Sequence, residues 1–300
     1  MAVQKGSLEV FERHRPRLLG LCYRMLGSMD DAEDLVQEAY LRWHRADVRE
    51  LRSPEAWLVS VTTRLAIDRL RRAAAERKSY PGNWLPEPVA ADFGASPERA
   101  AEQGSDLSVA FMVLLERLGP EERAAFLLRE VFDAEYGEIA EALEKSEPAV
   151  RQIVHRARTR VREGRTRFTA PPQVKERMLD RFLAAIRADD KDALLALLAE
   201  GAVVMGDGGG KVAASPRPIH GAEQVAQLFI TLQRKMPGLT HRVVRLNGEP
   251  AVVSEQGGRI LGAMSIETDG ERIVACYNVL NPDKLRRVRE GGTAPSLRSG

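Results

Sequence analysis

Seven arginines stand against two glutamates between residues 147 and 167, near the middle of the chain. Arginine can fork onto a guanine edge or hold phosphate oxygens, so this stretch could recognise DNA. Val150, Ile153, Ala157 and Val161 recur there at spacings of three and four, which is typical of one buried helix face. An ordinary amphipathic helix with a solvated basic face is the alternative. The candidate DNA contacts, on the outer face near the start of this helix, are Ser146, Glu147, Ala149, Arg151, Gln152, His155 and Arg156.

A second helix must brace this one if it is to enter a DNA groove. Residues 136–143 carry a short apolar side, and residues 144–146 have the length of a tight turn. Ser146 is a good N-cap, and Pro148 suits a first helical turn, where no backbone donor is needed. The pattern predicts a helix-turn-helix, whose second helix reads the major groove.

Two further charged surfaces are predicted nearer the N-terminus. Asp31, Asp34 and Glu38 form an acidic face on the second helix; such a face is most often only solvated, but it can dock a basic partner. A basic surface ends the third helix. A helix C-terminus attracts positive charge, and basic residues beside aromatic ones can also engage an unpaired DNA strand. The candidate contacts in this basic surface are Thr63, Arg64, Asp68, Arg69, Arg71 and Arg72.

The composition limits the remaining functions. Three hundred residues predict two or three domains, and a net charge of +2 means that nucleic-acid affinity must come from local patches. Cys22 and Cys276 are expected to be reduced core residues; no metal site and no cofactor are predicted. The N-terminus lacks a signal-peptide apolar segment, and no apolar run approaches membrane-spanning length, so we expect a soluble, cytoplasmic protein.

The last third of the chain changes character after residue 167. Helices followed by a curved antiparallel sheet predict an α+β domain of about 110 residues. Segment 207–211 is expected to be a hairpin turn. The helices are predicted at 173–187, 191–198 and 221–233, and the strands at 202–205, 241–246, 251–255, 259–267 and 272–279.

Three motifs in order make residues 8–165 resemble an extracytoplasmic-function sigma factor, a small relative of the bacterial primary sigma family. They are DAEDLVQE at residues 31–38, Trp57-Leu58 followed by AIDRLRR at residues 66–72, and the helix-turn-helix. The resemblance implies that the basic surface melts and reads the minus-ten promoter element, and that the helix-turn-helix reads the minus-thirty-five element. Arg64 stands where many relatives carry asparagine, so the minus-ten specificity is not carried over. The residues implied to bind the RNA polymerase core enzyme are Asp31, Asp34, Leu35 and Glu38.

The C-terminal third resembles the SnoaL-like domains of the nuclear transport factor 2-like cone fold, whose curled sheet and helices enclose a pocket. Motifs WLPEP at 84–88, DGGGK at 207–211 and NPDKL at 281–285 match sigma factors that carry such a domain. The implied protein is multidomain, with two all-α sigma domains followed by an α+β regulatory domain. These domains are predicted at 1–75, 106–168 and 173–285, with a linker at 76–105 and a flexible tail at 286–300.

We expect contacts among these three motifs to let the C-terminal domain control the sigma part in place of a separate anti-sigma factor. The glycine-rich segment carries a charge at each end, more than a plain turn requires. A plain spacer, for WLPEP, and an independent tethered domain are the alternatives. The predicted regulatory contacts are Trp84, Leu85, Pro86, Asp207, Gly208, Gly209, Gly210, Lys211, Asn281, Pro282, Asp283, Lys284 and Leu285.

A DNA-binding module fused to a small-molecule-binding or isomerase-like domain is the alternative function. Asp207, His220, Tyr277 and Asn278 are candidate polar linings of a cone-shaped pocket that could hold an unknown small ligand. Catalysis needs a base within reach of a proton and a group that stabilises the resulting anion. No spacing in the sequence establishes either, so we expect a regulator and not an enzyme.

Overall fold

The computed structural model describes residues 2–46, 51, 53–90, 107–164 and 170–290. The described residues form two compact units. The first, the helical unit, contains 2–46, 51, 53–78 and 112–164; the second, the C-terminal unit, contains 79–90, 107–111 and 170–290. Within these ranges, no helix is long and apolar enough to cross a membrane.

Side-chain caps and a buried indole define the first helices, α1 (Ala2–Leu26), α2 (Met29–Arg45) and α3 (Pro54–Arg77). Ser28 accepts the Asp31 N–H at 3.3 Å and Ser53 accepts the Ala56 N–H at 3.2 Å, which satisfies donors that a helix start leaves open. Trp43 is fully buried, and its indole N–H donates to the Ser7 carbonyl at 2.9 Å.

The predicted helix-turn-helix is present. Helices α4 (Val109–Leu115) and α5 (Pro120–Glu130) precede its two members, α6 (Tyr136–Leu143) and α7 (Glu147–Gly164). Glu144 turns the chain with a positive φ of 53°. The predicted stripe on α7 is buried, and Val154, which the spacing did not single out, is buried beside it.

The C-terminal unit packs helices against a six-stranded sheet of order β2-β1-β6-β5-β4-β3. Phe182 and Phe229, on two of the helices, meet edge to face with their ring centroids 5.0 Å apart in its core. The elements in chain order are α8 (Pro172–Arg187), α9 (Lys191–Leu197), β1 (Leu198–Asp207), β2 (Ile219–His220), α10 (Ala222–Lys235), β3 (Thr240–Leu246), β4 (Glu249–Gln256), β5 (Arg259–Thr268) and β6 (Ile273–Val279).

The sheet is mixed, so the expectation of a purely antiparallel sheet is wrong. Strands β1 and β6 pair in parallel, and the other pairs are antiparallel. Parallel pairing needs a long connection between the two strands, which α10 and the four strands β2 to β5 supply here. The alternation of apolar residues along a single strand does not reveal which strand it will pair with. Segment 207–211 is likewise not a simple hairpin turn, because it opens a longer loop that returns only to the two-residue β2.

The segment predicted as a flexible tail begins with a short helix, α11 (Arg286–Glu290). Val288 is buried, so this helix is packed and the prediction is wrong for these residues. Residues 291–300 lie outside the described residues. Of the described part of the predicted linker, 76–90, the first three residues belong to the helical unit and residues 79–90 belong to the C-terminal unit, where the sequence predicted a separate segment.

Candidate functional site

The acidic face of α2 is open only in part. Asp34 and Glu38 are exposed, and Glu38 pairs with Arg42 one turn away at 2.7 Å. Asp31 is half-buried and accepts the Arg69 Nε–H at 3.0 Å. Leu35 is 6% exposed and packs into the core, so its side chain supports the helix and does not offer a contact surface as predicted.

Exchanging Asp34 and Glu38 for lysine should weaken core-polymerase binding at least tenfold, because an attractive charge pattern becomes repulsive. Leaving Asp31 unchanged keeps its Arg69 pair. The matched control reverses Glu9 and Glu12, two exposed acids on α1. Equal affinities of the two double variants in a pull-down titration would contradict the assignment.

The basic surface of α3 faces the helix-turn-helix within the helical unit. Arg64 donates to the Ala142 carbonyl at 3.3 Å and to Glu144 at 2.9 Å, both next to the turn. Arg71 pairs with Glu121 of α5 at 2.9 Å. Two of the four arginines predicted to read the minus-ten element, Arg64 and Arg71, therefore bind the other helical domain in this arrangement.

The remaining members of the basic surface differ in access. Thr63 is fully buried, so it cannot contact DNA in this arrangement, contrary to the prediction. Arg69 is held by Asp31 and Glu76, whereas Asp68 and Arg72 are exposed.

A buried arginine joins the two helical domains more firmly. Arg123 of α5 is 1% exposed and donates to the Met25 carbonyl of α1 at 2.6 Å and to the Leu115 carbonyl at 2.9 Å. Glu116 accepts from Arg123 at 2.6 Å and also pairs with Arg77 of α3. We call this contact, with those of Arg64 and Arg71, the closed arrangement. The sequence did not indicate it, because single arginines and glutamates are usually solvated.

The recognition helix α7 presents most of its predicted residues outward. Arg151, Gln152, His155 and Arg156 are exposed, as are Ser146 and Glu147, while Ala149 is half-buried. Arg151 pairs with Glu147 at 3.2 Å, and its guanidinium carbon lies 4.2 Å from the Tyr136 ring centroid. These weak surface contacts orient the side chain and leave it available to a ligand.

Removal of Arg151 or Arg156 should cost about 1–3 kcal/mol of promoter binding if the side chain reads a base, with relaxed preference at one position. Loss of a phosphate contact should instead weaken all sequences alike and flatten the salt dependence. Binding of Arg151→Ala and Arg156→Ala across a salt series measures this, with Arg162→Ala in the last turn of α7 as the control. Unchanged binding by both variants would show that α7 is not the reading helix.

The WLPEP, DGGGK and NPDKL motifs meet in the C-terminal unit. There a surface formed by residues 206–211, 215, 247 and 280–285 binds linker residues 80–89. We call this surface the linker cradle. Its centre is Asp207, a fully buried carboxylate. Asp207 accepts the Tyr80 hydroxyl at 2.6 Å and the Leu85 N–H at 2.9 Å. Burial, together with this hydrogen bond to Asp207, raises the pKa of Tyr80, so the phenol stays protonated and donates.

Lys284 supplies the charge that makes burial of Asp207 possible. Its Nζ lies 2.7 Å from Asp207 Oδ2, donates to the Leu85 carbonyl at 2.6 Å, and stands 4.2 Å from the Trp84 ring centroid. Leu85 is itself fully buried. One ammonium group thus binds a carboxylate, a linker carbonyl and a linker aromatic ring. Lys211 and Asp283 form a second, exposed ion pair in the cradle.

The glycines of 207–211 allow the linker to approach closely. Gly209 has a φ of +59°, and a Cβ there would overlap the Asn281 amide and lie 3.1 Å from the Tyr80 hydroxyl oxygen. A Cβ at Gly210 would lie 2.6 Å from Pro81. Only glycine fits these positions without displacing the linker. Among the other predicted contact residues, Leu285 and Pro86 are buried, and Pro282 is half-buried.

Two asparagines that the sequence did not single out complete the cradle. Asn83 donates through Nδ2 to the carbonyls of Gly206 and Ser215, at 3.2 and 3.1 Å. The Val89 N–H donates to Asn247 Oδ1 at 3.1 Å, and the Asn247 N–H donates to the Val89 carbonyl at 2.7 Å. The sequence indicated only a turn at Asn247-Gly248. Because this dipeptide is common in exposed turns, burial of the Asn247 side chain could not be inferred from it.

A cavity of about 520 Å³ lies in the same unit, between α10 and the sheet. Of the four predicted polar linings only Asn278 contributes. Asp207 serves the cradle, His220 is exposed, and the Tyr277 hydroxyl donates to Glu267 at 3.0 Å. The polar lining residues that the sequence did not indicate include His241, Ser254 and Gln233. The ring nitrogens of His241 lie 2.9 Å from Ser254 Oγ and 3.1 Å from Gln233 Oε1. Burial, followed by the charge of Arg187, lowers the pKa of His241.

Comparison with known proteins agrees with this architecture. The family model Sigma-70 region 2 matches residues 10–76, and the model Sigma-70, region 4 matches residues 108–161. These matches cover the two helical domains that carry the acidic face, the basic surface and the recognition helix. The helical domains are thus those of a sigma-70-type transcription initiation factor.

Relatives extend the match through the C-terminal unit. The chain is 36% identical over 287 residues to the ECF RNA polymerase sigma factor SigJ of Mycobacterium tuberculosis, covering 92% of each chain, and 29% identical over 284 residues to the probable sigma factor SigI of the same organism. It therefore belongs to the extracytoplasmic-function sigma factors of RNA polymerase. The crystal structure of SigJ superposes with a TM-score of 0.75 at 33% identity, over 93% of this chain and 98% of SigJ. The predicted fold class is confirmed.

Proposed function

We propose that this sigma factor directs RNA polymerase core enzyme to promoters through α2, α3 and α7, and that its own C-terminal domain limits that activity by holding the linker in the cradle. The linker joins the two DNA-reading domains along the chain. Its state therefore sets how far these domains can separate to reach both promoter elements. A domain attached in this way could take the place of a separate anti-sigma factor.

The buried Asp207–Lys284 pair carries the proposal. Buried ion pairs contribute little net stability to a fold, because desolvation offsets their attraction. This pair is instead arranged around the linker, since Asp207 accepts from Tyr80 and Leu85, and Lys284 donates to Leu85. Its geometry suits specific and reversible recognition of one segment.

The closed arrangement of the helical unit supports the same regulation. Arg64 and Arg71 bind Glu144 and Glu121 there, so the promoter surface of α3 is occupied by the protein's own acids. These exposed pairs are individually weak, which allows DNA phosphates to compete for the arginines. We infer that the closed arrangement is the inactive state and that promoter binding requires its opening.

We assign the cavity no catalytic role. Among the described residues, neither an acidic nor a basic side chain lines it apart from His241, which both Ser254 and Gln233 engage. Proton transfer at carbon needs a free base and a group that stabilises the anion. This lining suits binding better than turnover.

Transcription in vitro with the full chain tests the proposed regulation. Gly209→Val places a branched side chain against Asn281 and the linker, so we expect the linker to be released. The amount of transcript made from a promoter that this sigma factor recognises should then rise severalfold. The matched control is Gly257→Val: its φ is +57°, but a Cβ there meets no described atom within 4 Å. Equal output from wild type and both variants would show that the C-terminal domain does not restrain the sigma part.

A further inference from the structure

The wall between the cavity and the linker cradle is shared. Gly206, Ser215 and Leu280 all line the cavity. On the cradle side, the carbonyls of Gly206 and Ser215 hold Asn83, and the N–H groups of Leu280 and Asn281 donate to the Asp207 carbonyl, each at 2.8 Å. One thin layer of chain therefore contacts the cavity on one side and the linker on the other.

The lining of the cavity defines what could occupy it. Most of its residues are apolar, including Leu228, Leu232 and Met236, and Val212 at its wall is 42% exposed. Volumes of roughly 300–1,000 Å³ with apolar walls are typical of sites for drug-sized molecules. The lack of a charged partner in the described lining disfavours an ionic ligand, because burying an unpaired charge is costly.

Four polar side chains in the lining, Asn278, Gln233, His241 and Ser254, give the cavity groups that can recognise a ligand. Asn278 makes no side-chain hydrogen bond within the described part of the structure, and neither does the amide nitrogen of Gln233. Gln233 Oε1 is an acceptor, so His241 donates to it through Nε2–H. The other ring nitrogen, Nδ1, then accepts from the Ser254 hydroxyl, and the neutral ring is fixed in one tautomer. The two amides are left to bind a ligand oxygen or hydroxyl.

We propose that this cavity binds a neutral, largely apolar small molecule that carries a hydrogen-bonding oxygen, and that its occupancy strengthens linker docking through the shared wall. The consequence for transcription rests on the proposed function, but binding and docking do not. A ligand packed behind Gly206, Ser215 and Leu280 gives this wall contacts that the empty cavity lacks. Binding that favours one state shifts the population toward it.

Nile red, a neutral apolar dye with a carbonyl oxygen, is a suitable probe with the full chain. We expect saturable fluorescence enhancement and at least tenfold weaker binding by Leu232→Trp, which fills the cavity from α10. Leu41→Trp, the same change at an exposed position of α2, is the matched control and should bind like wild type. Gly262→Ala is a smaller second block, since its Cβ would lie 2.9 Å from Leu280. Equal dye affinity in all four proteins overturns the site.

Hydrogen exchange of the peptide covering residues 80–89 measures the link to docking. Saturating dye should slow exchange there at least threefold in wild type and leave Leu232→Trp unchanged. Bound dye without any change in this peptide overturns the coupling. Dye binding together with slowed exchange, but no effect of Gly209→Val on transcription, would contradict the proposed regulation and leave the site standing.

Discussion

Lys284→Met should release the linker from the C-terminal domain. The variant leaves the Asp207 carboxylate buried without its cation as long as the linker stays docked, and such an uncompensated buried charge costs about 3–5 kcal/mol. Release of the linker lets water reach Asp207, so the cost falls on the docked state. The ratio of docked to free linker should drop by a factor of about 10² to 4 × 10³. Hydrogen exchange across residues 80–89 should accelerate accordingly, and transcription should rise.

Two further variants separate this effect from general loss of stability. Lys211→Met makes the same change in the exposed pair with Asp283, where an ion pair is worth about 0–1 kcal/mol, and should barely alter exchange. Adding Asp207→Asn to Lys284→Met removes the stranded charge and should recover part of the docking, as a double-mutant cycle would measure. Equal exchange in Lys284→Met and Lys211→Met would show that the buried pair does not hold the linker.

Arg123→Met should open the closed arrangement of the helical unit. Arg123 donates to the Met25 and Leu115 carbonyls and pairs with Glu116, so its loss removes the donor that Arg123 gives to each carbonyl and leaves the Glu116 carboxylate to Arg77. The Leu115 carbonyl still accepts the Leu118 N–H at 3.1 Å. We expect about 3–5 kcal/mol of destabilisation, shared between the interdomain contact and the second helical domain. Even a loss of about 2.8 kcal/mol would bring a 99:1 closed population close to even. Arg64 and Arg71 would then be free, and promoter affinity should rise.

A pair of dyes at Leu41→Cys and His155→Cys, two exposed positions in the two helical domains, can follow the opening. Cys22 and Cys276 do not compete for the label: both are fully buried, and burial raises the pKa of Cys276 to about 12. Arg129→Met is the control, because this arginine of α5 donates to the Ala134 carbonyl of its own domain at 2.8 Å. If the energy-transfer distribution of Arg123→Met matches that of Arg129→Met, Arg123 is not what closes the unit.

These two predictions share a physical logic. In each, a buried charge is satisfied only in one arrangement of the chain, so removing its partner penalises that arrangement selectively. The exposed arginine–glutamate pairs of Arg64 and Arg71 orient the two helical domains relative to each other, and DNA phosphates can compete for these arginines. The protein thus combines a few strong contacts that define the closed and docked states with weaker ones that promoter phosphates can replace.

The sequence alone determined the class of protein and most of its elements. The spacing of Val150, Ile153, Ala157 and Val161 defined α7, because helical periodicity is a local property that neighbouring residues reveal. Helix caps at Ser28 and Ser53 are likewise local. The family motifs are contiguous runs, so they could be read without knowing how the chain folds.

Only the tertiary structure decided which charges meet and which side chains are buried. Asp207 reaches Leu85 across 122 residues, and Arg123 reaches Met25 across 98. No local pattern encodes such pairs. Leu35 lies within the DAEDLVQE motif and Thr63 lies between Trp57-Leu58 and AIDRLRR, yet both side chains are buried, since a motif records residue type and not the direction of a side chain. The parallel β1–β6 pair and the wall shared by cavity and cradle arise for the same reason: long connections bring distant segments together, and packing of the whole domain selects the partners.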